Sequence, residues 1–287
     1  MAFDPFLYVA FGIGLVAGRL GRPTGRWVER ATLGSVVVLL GLLGASLDTV
    51  PPITLVSTIP LAFGFAALLL GLTVGAFLGL ARVAPERAPS STTSDTARRY
   101  SVSAGLAVAL IAGFGVGRIV ALPTGLAIPW ALYVLLALVG LGLRLSARGL
   151  RRAWVPVAAS VAGAGAAAPL FVVLSHASLS VSLASAFAFG WYSLAGPLVA
   201  ARVGAALGLL AFLTNFLRED LTMLLSPVLG RRLRGEGLAA MGGATSMDTT
   251  LYFVTRYGDA EAGSLALASG LVLTLAASLL LPAILAL

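Results

Sequence analysis

Long apolar runs follow one another along this chain, near residues 5–18, 31–47, 61–81, 100–117, 126–143, 153–175, 181–201, 203–229, 237–255 and 262–284. A helix crosses a bilayer with about 20 apolar residues, and roughly 17 is the lower limit. In lipid every backbone polar group must be satisfied internally, so runs of this length are expected to be helical. Composition agrees: of 287 residues 59% are hydrophobic and 10% charged, whereas an average soluble domain is roughly 25% charged. Too few polar side chains remain to coat a soluble fold. That excludes a soluble enzyme, a disordered chain and a secreted disulfide scaffold. The expected fold class is all-α, a polytopic membrane protein.

The charges outside the runs orient it. All 19 basic residues are arginine, and the formal net charge is +8. In a soluble protein that excess would suggest nucleic acid; here loop arginines follow from the positive-inside rule, so no nucleic-acid partner is expected. Arginines gather at 19–30, 82–99, 144–152 and 231–236, whereas the turns at 48–52, 118–125 and 176–180 hold only Asp48, Arg118 and His176. The arginine-rich loops are therefore expected in the cytoplasm. The acidic N-terminus without an A-x-A site reads as a first span rather than a signal peptide.

Alternation has a further consequence. If 176–180 lies outside and 231–236 inside, an odd number of crossings separates them, yet two runs fill the interval. The run 181–201 contains Gly190, Gly196 and Pro197 and is expected to be re-entrant or discontinuous. The run 237–255, with Gly242 and Gly243, should likewise dip in and return. The sum is about eight transmembrane helices with both termini outside. Broken backbone at membrane depth is tolerated where it lines a cavity or is buried in protein, and two such breaks point to a transport site. The chain reads as one transporter domain: three spans in 1–82, a cytoplasmic linker at 83–98, and a core at 99–287.

Cysteine is absent and His176 is the one histidine, so no metal centre, disulfide or cofactor is expected. A serine protease would need a Ser–His pair with a nucleophile motif, which leaves no enzyme reading. Three places put charge where lipid should be. Asp48 closes an apolar run. Arg218, Glu219 and Asp220 lie inside another, where helical spacing sets Asn215, Glu219 and Thr222 on one face with Arg218 beside it. Asp248 lies in GGATSMDTT (242–250), where glycines allow unwinding and Gly242, Gly243, Thr245 and Ser246 can offer backbone and hydroxyl groups. Trp191 and Tyr192 in FGWYSLAGP (189–197) suit either a cation–π site or interface anchors.

Three segments, FGWYSLAGP at 189–197, NFLREDL at 215–221 and GGATSMDTTL at 242–251, together resemble the bacterial and archaeal lysine exporter family. GLLGASLD (41–48) and LVGLGLRLSARGL (138–150) add to the resemblance. It departs at Tyr252, where the family pattern has proline. The resemblance implies export of L-lysine and close analogues across the cytoplasmic membrane of a prokaryote, by eight spans with both termini outside. It also implies an intramembrane acidic pair, carried here by Glu219 and Asp48. On that basis Asp48 and Glu219 are expected to take ammonium groups and protons. The unwound backbone near 242–246 would take a carboxylate. Asn215 and Thr245 would add hydrogen bonds, and Trp191 or Tyr192 would cover the aliphatic stem. Two other readings stay open at this stage: a monovalent cation/proton antiporter, and a non-catalytic membrane sensor or assembly protein.

Overall fold

A computed structural model describes residues 5–21, 26–45, 52–81, 96–142, 146–175 and 177–286. Asp48, His176 and most of the expected linker lie outside these residues. The described chain is helical, and three helices are long and apolar enough to cross a membrane, Val56–Ala81, Ala147–Ser175 and Ala262–Ile284. Exposed Ile, Leu, Val, Phe and Trp side chains coat the outer surface. This is an all-α membrane protein.

The N-terminal part contains α1 (Pro5–Gly21), α2 (Arg26–Ala45), α3 (Pro52–Ala81), α4 (Thr96–Ile119) and α5 (Thr124–Gly142). Helix α1 packs on α5 and α2 on α4. Small residues mark these contacts: Gly14 lies against the backbone of Ala137, and Gly113 against that of Gly41. Lipid supplies no hydrophobic drive for helices to associate, so close backbone approach is what holds them. Helix α3 connects this part to the rest by packing on α7 and α10. Phe65 of α3 stacks on Phe171 of α7 with ring centroids 3.8 Å apart.

The C-terminal part contains short α6 (Ala147–Arg152), α7 (Trp154–Ser175), α8 (Leu179–Ala186), α9 (Tyr192–Val203), α10 (Ala205–Gly242), α11 (Leu251–Tyr257) and α12 (Ala262–Ile284). The run expected to be re-entrant is broken: α8 ends at Ala186, and Phe189 (φ 53°) and Gly190 (φ 97°) turn the chain before α9 begins. Helix α9 then reverses at Gly204 and runs back along α10, with Gly208 against Ala200. The tip lies against the middle of α7, where a Cβ on Gly165 would touch the Phe187 ring at 4.0 Å.

The second break corrects one boundary. Residues 231–236 are not a loop: α10 continues through Arg231 and Arg232 and kinks sharply at Arg234 (φ 54°, ψ −164°). Its last turns run inward to Gly242, a 3-10 turn covers Gly243–Met247, and α11 runs back out. Both ends of this hairpin lie together, since Gly235 and Gly258 pack on each other and on Ala262. The expected departure at Tyr252 falls in the first turn of α11, after the break. The two hairpins enter from opposite ends of the bundle and meet at their tips.

Candidate functional site

The tips meet through main chain. The Ala244 amide donates to the Phe189 carbonyl at 2.9 Å. Gly243 has φ 65°, and a Cβ there would strike the Phe189 carbonyl. Only glycine takes that backbone and that approach without strain.

Each broken helix leaves carbonyls and amides without helical partners, and buried side chains supply them. Asn215 is wholly buried in α10. Its Oδ1 accepts from the Gly190 amide at 2.8 Å, and its Nδ2 donates to the carbonyls of Ser185 at 2.9 Å and Ala211 at 3.0 Å. Arg218, 1% exposed, does the same for the second hairpin. Its Nε donates to the Met241 carbonyl at 3.2 Å and its Nη2 to the Ala240 carbonyl at 3.3 Å. Ser160 of α7 also donates to Ala240, at 2.9 Å. The guanidinium thus faces the carbonyl end of a half-helix, where the helix dipole is negative.

The acids lie on the other side of the turn. Glu219 and Asp220 are 2% and 1% exposed, and the Glu219 carboxyl lies beside the Thr249 side chain. Asp248 accepts from the Thr249 amide at 2.6 Å and its hydroxyl at 3.3 Å. Asp248 and Asp220 both act electrostatically on Glu219, and all three act on Tyr192. Glu219 Oε1 and both carboxyl oxygens of Asp220 have no hydrogen-bond partner among the described residues, and nor does Arg218 Nη1. Buried unpaired charge is costly. The described residues hold no cluster of acids or histidine arranged for a metal ion.

The remaining expected residues divide. Tyr192 opens α9 with its ring edge-on to Phe212 at 5.3 Å and Phe216 at 5.6 Å, next to the acids. Trp191 is half-buried and packs with the residues around the first tip. Thr245 donates to the Gly242 carbonyl at 3.0 Å, and Ser246 to those of Gly243 at 2.8 Å and Ala266 at 2.9 Å. These hydroxyls hold the turn together. Thr222 does not join the acids; its hydroxyl returns to the Arg218 carbonyl at 2.8 Å within its own helix. Within the unwound backbone, the Gly243 amide donates to Ala239 and the Ala244 amide to Phe189.

Sequence reading missed a second cluster. Arg152, at the end of α6, bonds Glu236 Oε1 at 2.6 Å, Asp259 Oδ2 at 2.8 Å and Glu261 Oε2 at 2.9 Å. These pairs tie both ends of the second hairpin to the start of α7. No local spacing announces them, since the partners lie 84 to 109 positions away.

Residues 107–285 match the family model described as "Lysine exporter LysO". The chain is 34% identical over 162 residues to "Lysine exporter LysO" of Escherichia coli K12, covering 53% of this chain and 52% of that protein. It is 32% identical over 103 residues to "Putative lysine exporter" of Haemophilus influenzae, covering 36% of this chain and 52% of that one. The chain thus spans about half the length of the curated relatives it matches. No solved structure matches it.

Proposed function

The chain belongs to the lysine exporter LysO family, and from that premise we propose that it exports L-lysine and close analogues in exchange for protons. The observation that carries this reading is the set of unpartnered, buried carboxyl oxygens on Glu219 and Asp220, beside Asp248, where two broken hairpins meet. An intramembrane acid needs a cation or a proton, and at one carboxyl the two compete. Competition of that kind is the core of an exchange cycle. Exchange also suits the energetics. Moving one positive charge outward against 100 mV costs about 2.3 kcal/mol, and an inbound proton cancels the net charge movement.

Glu219 takes the central role, paired with Asp48, whose place lies outside the described residues. Asp248 and Asp220 add negative potential, and Tyr192 walls the site. Asn215, Gly242, Gly243, Thr245 and Ser246 hold the tips in position. The orientation is eight crossings with both termini outside, in the cytoplasmic membrane of a prokaryote. In support, eight helices among the described residues, α1–α5, α7, α10 and α12, have 17 residues or more.

The test is counterflow of labelled lysine into proteoliposomes across a proton gradient, with wild type and Glu219→Gln. The expected result is loss of flux in the variant at equal membrane content. Unchanged proton-coupled lysine flux in Glu219→Gln would remove Glu219 from the mechanism. Sodium-dependent proton flux indifferent to lysine would replace the reading with cation/proton antiport.

A further inference from the structure

The exported class of molecule carries two ammonium groups and one carboxylate, so its site needs anionic groups and one cationic edge. The unsatisfied buried atoms beside the two tips supply both: Glu219 Oε1 and Asp220 Oδ1 and Oδ2 on one hand, Arg218 Nη1 on the other. The guanidinium is fixed, because Nε and Nη2 already grip Met241 and Ala240. Nη1 lies on the edge turned away from those carbonyls. Gly243 packs directly on the head, since a Cβ there would come to 3.0 Å from Nη2.

Arg218 and Glu219 are adjacent in α10, yet their heads go to opposite ends of one turn. Arg218 reaches the residues that precede Gly243, and Glu219 reaches Thr249. The Gly243 and Ala244 amides at the head of the unwound backbone are not open to a carboxylate, because they are already donated to Ala239 and Phe189.

We propose that Arg218 binds the α-carboxylate of the exported amino acid through Nη1, so that the site accepts dibasic amino acids and rejects diamines of the same length. This rests on the lysine-export reading above and names the group that makes the site selective. The carboxylate also supplies the partner that the buried guanidinium edge lacks.

The experiment compares L-lysine, lysine methyl ester and 1,5-diaminopentane on the purified full chain, by binding and by competition in lysine counterflow. Wild type should prefer lysine over both carboxylate-free probes by about 10- to 100-fold, the worth of one charge-assisted hydrogen bond. Arg218→Gln should weaken lysine by that factor more than it weakens diaminopentane, so the preference collapses. Arg218→Lys should restore part of it. Loss of a purely structural arginine would weaken all three probes together, which would overturn the proposal. The wild-type comparison stands even if the variants fail to fold. Equal binding of lysine and diaminopentane by wild type refutes carboxylate recognition and leaves lysine export intact, whereas no lysine binding at all overturns both readings.

Discussion

Replacing Asn215 with alanine tests whether α10 holds the first hairpin open at its break. The side chain makes three hydrogen bonds, but they differ in consequence. Ala211 lies one turn back in the same helix and keeps its helical partner. Ser185 has no such substitute, because the Phe189 amide that would continue α8 bonds Ala186 instead. The Gly190 amide likewise gives its hydrogen to Asn215. Asn215→Ala therefore strands one buried carbonyl and one buried amide. At about 1–3 kcal/mol for each stranded group, the loss is about 2–6 kcal/mol. Polar contacts inside membranes have measured toward the lower end, which argues for about 2–3 kcal/mol. For a chain of this size, that lowers Tm by roughly 5–10 °C. The assay is thermal denaturation in detergent beside lysine counterflow in vesicles. A Tm for Asn215→Ala within 1 or 2 °C of wild type, with flux preserved, would refute the clamp, since a loss of about 2 kcal/mol cannot hide in that interval.

Further outcomes follow from the second hairpin. Gly243→Ala adds a Cβ at φ 65° against the Phe189 carbonyl. It should separate the tips and cost at least 1–3 kcal/mol in backbone strain alone; lysine flux and Tm should both fall, and an unchanged flux would show that the tips need not touch. Arg152→Ala removes the shared partner of Glu236, Asp259 and Glu261. These side chains are partly exposed, so the expected loss is on the order of 1–3 kcal/mol rather than the full value for a buried pair. Faster hydrogen exchange confined to 235–261 is the expected signature, and uniform exchange across the chain would contradict the tie. Arg152→Lys should recover part of the protection because a point charge serves three separate carboxylates less well than a fork.

The breaks were legible because glycine and proline interrupt apolar runs at Gly190 and at Gly242 and Gly243, and because loop arginines demanded an extra reversal. The acids were legible as charges without a loop to occupy. What sequence spacing left open is where heads point. Asn215, Glu219 and Thr222 do share a helical stripe, yet each answers a different demand: a hairpin tip, a carboxyl cluster and the helix's own carbonyl. Arg218 sits beside Glu219 in sequence but is drawn to carbonyls 22 and 23 positions away. The end of α10 was misplaced for a related reason. Its arginines read as a loop, but Arg231 and Arg232 are exposed at the end of the helix and the chain turns only at Arg234. Local pattern reports what lipid will tolerate; partners distant in the chain decide direction.

The meeting of the two tips also sets an order on biosynthesis. Gly190 finds its acceptor in Asn215, 25 positions later, and the Phe189 carbonyl finds its donor later still, at Ala244. A ribosome adds about 5–20 residues per second, so Gly190 precedes Asn215 by about 1–5 seconds and Phe189 precedes Ala244 by about 3–11 seconds. Unsatisfied backbone costs several kcal/mol per group in the hydrocarbon layer. The first hairpin therefore cannot settle at mid-depth when it emerges; it must wait near the headgroups or beside the insertion machinery. It descends when α10 and the second hairpin arrive. A nascent chain arrested before Ala244 should keep 179–203 accessible from its own side of the membrane, and release of the arrest should bury it.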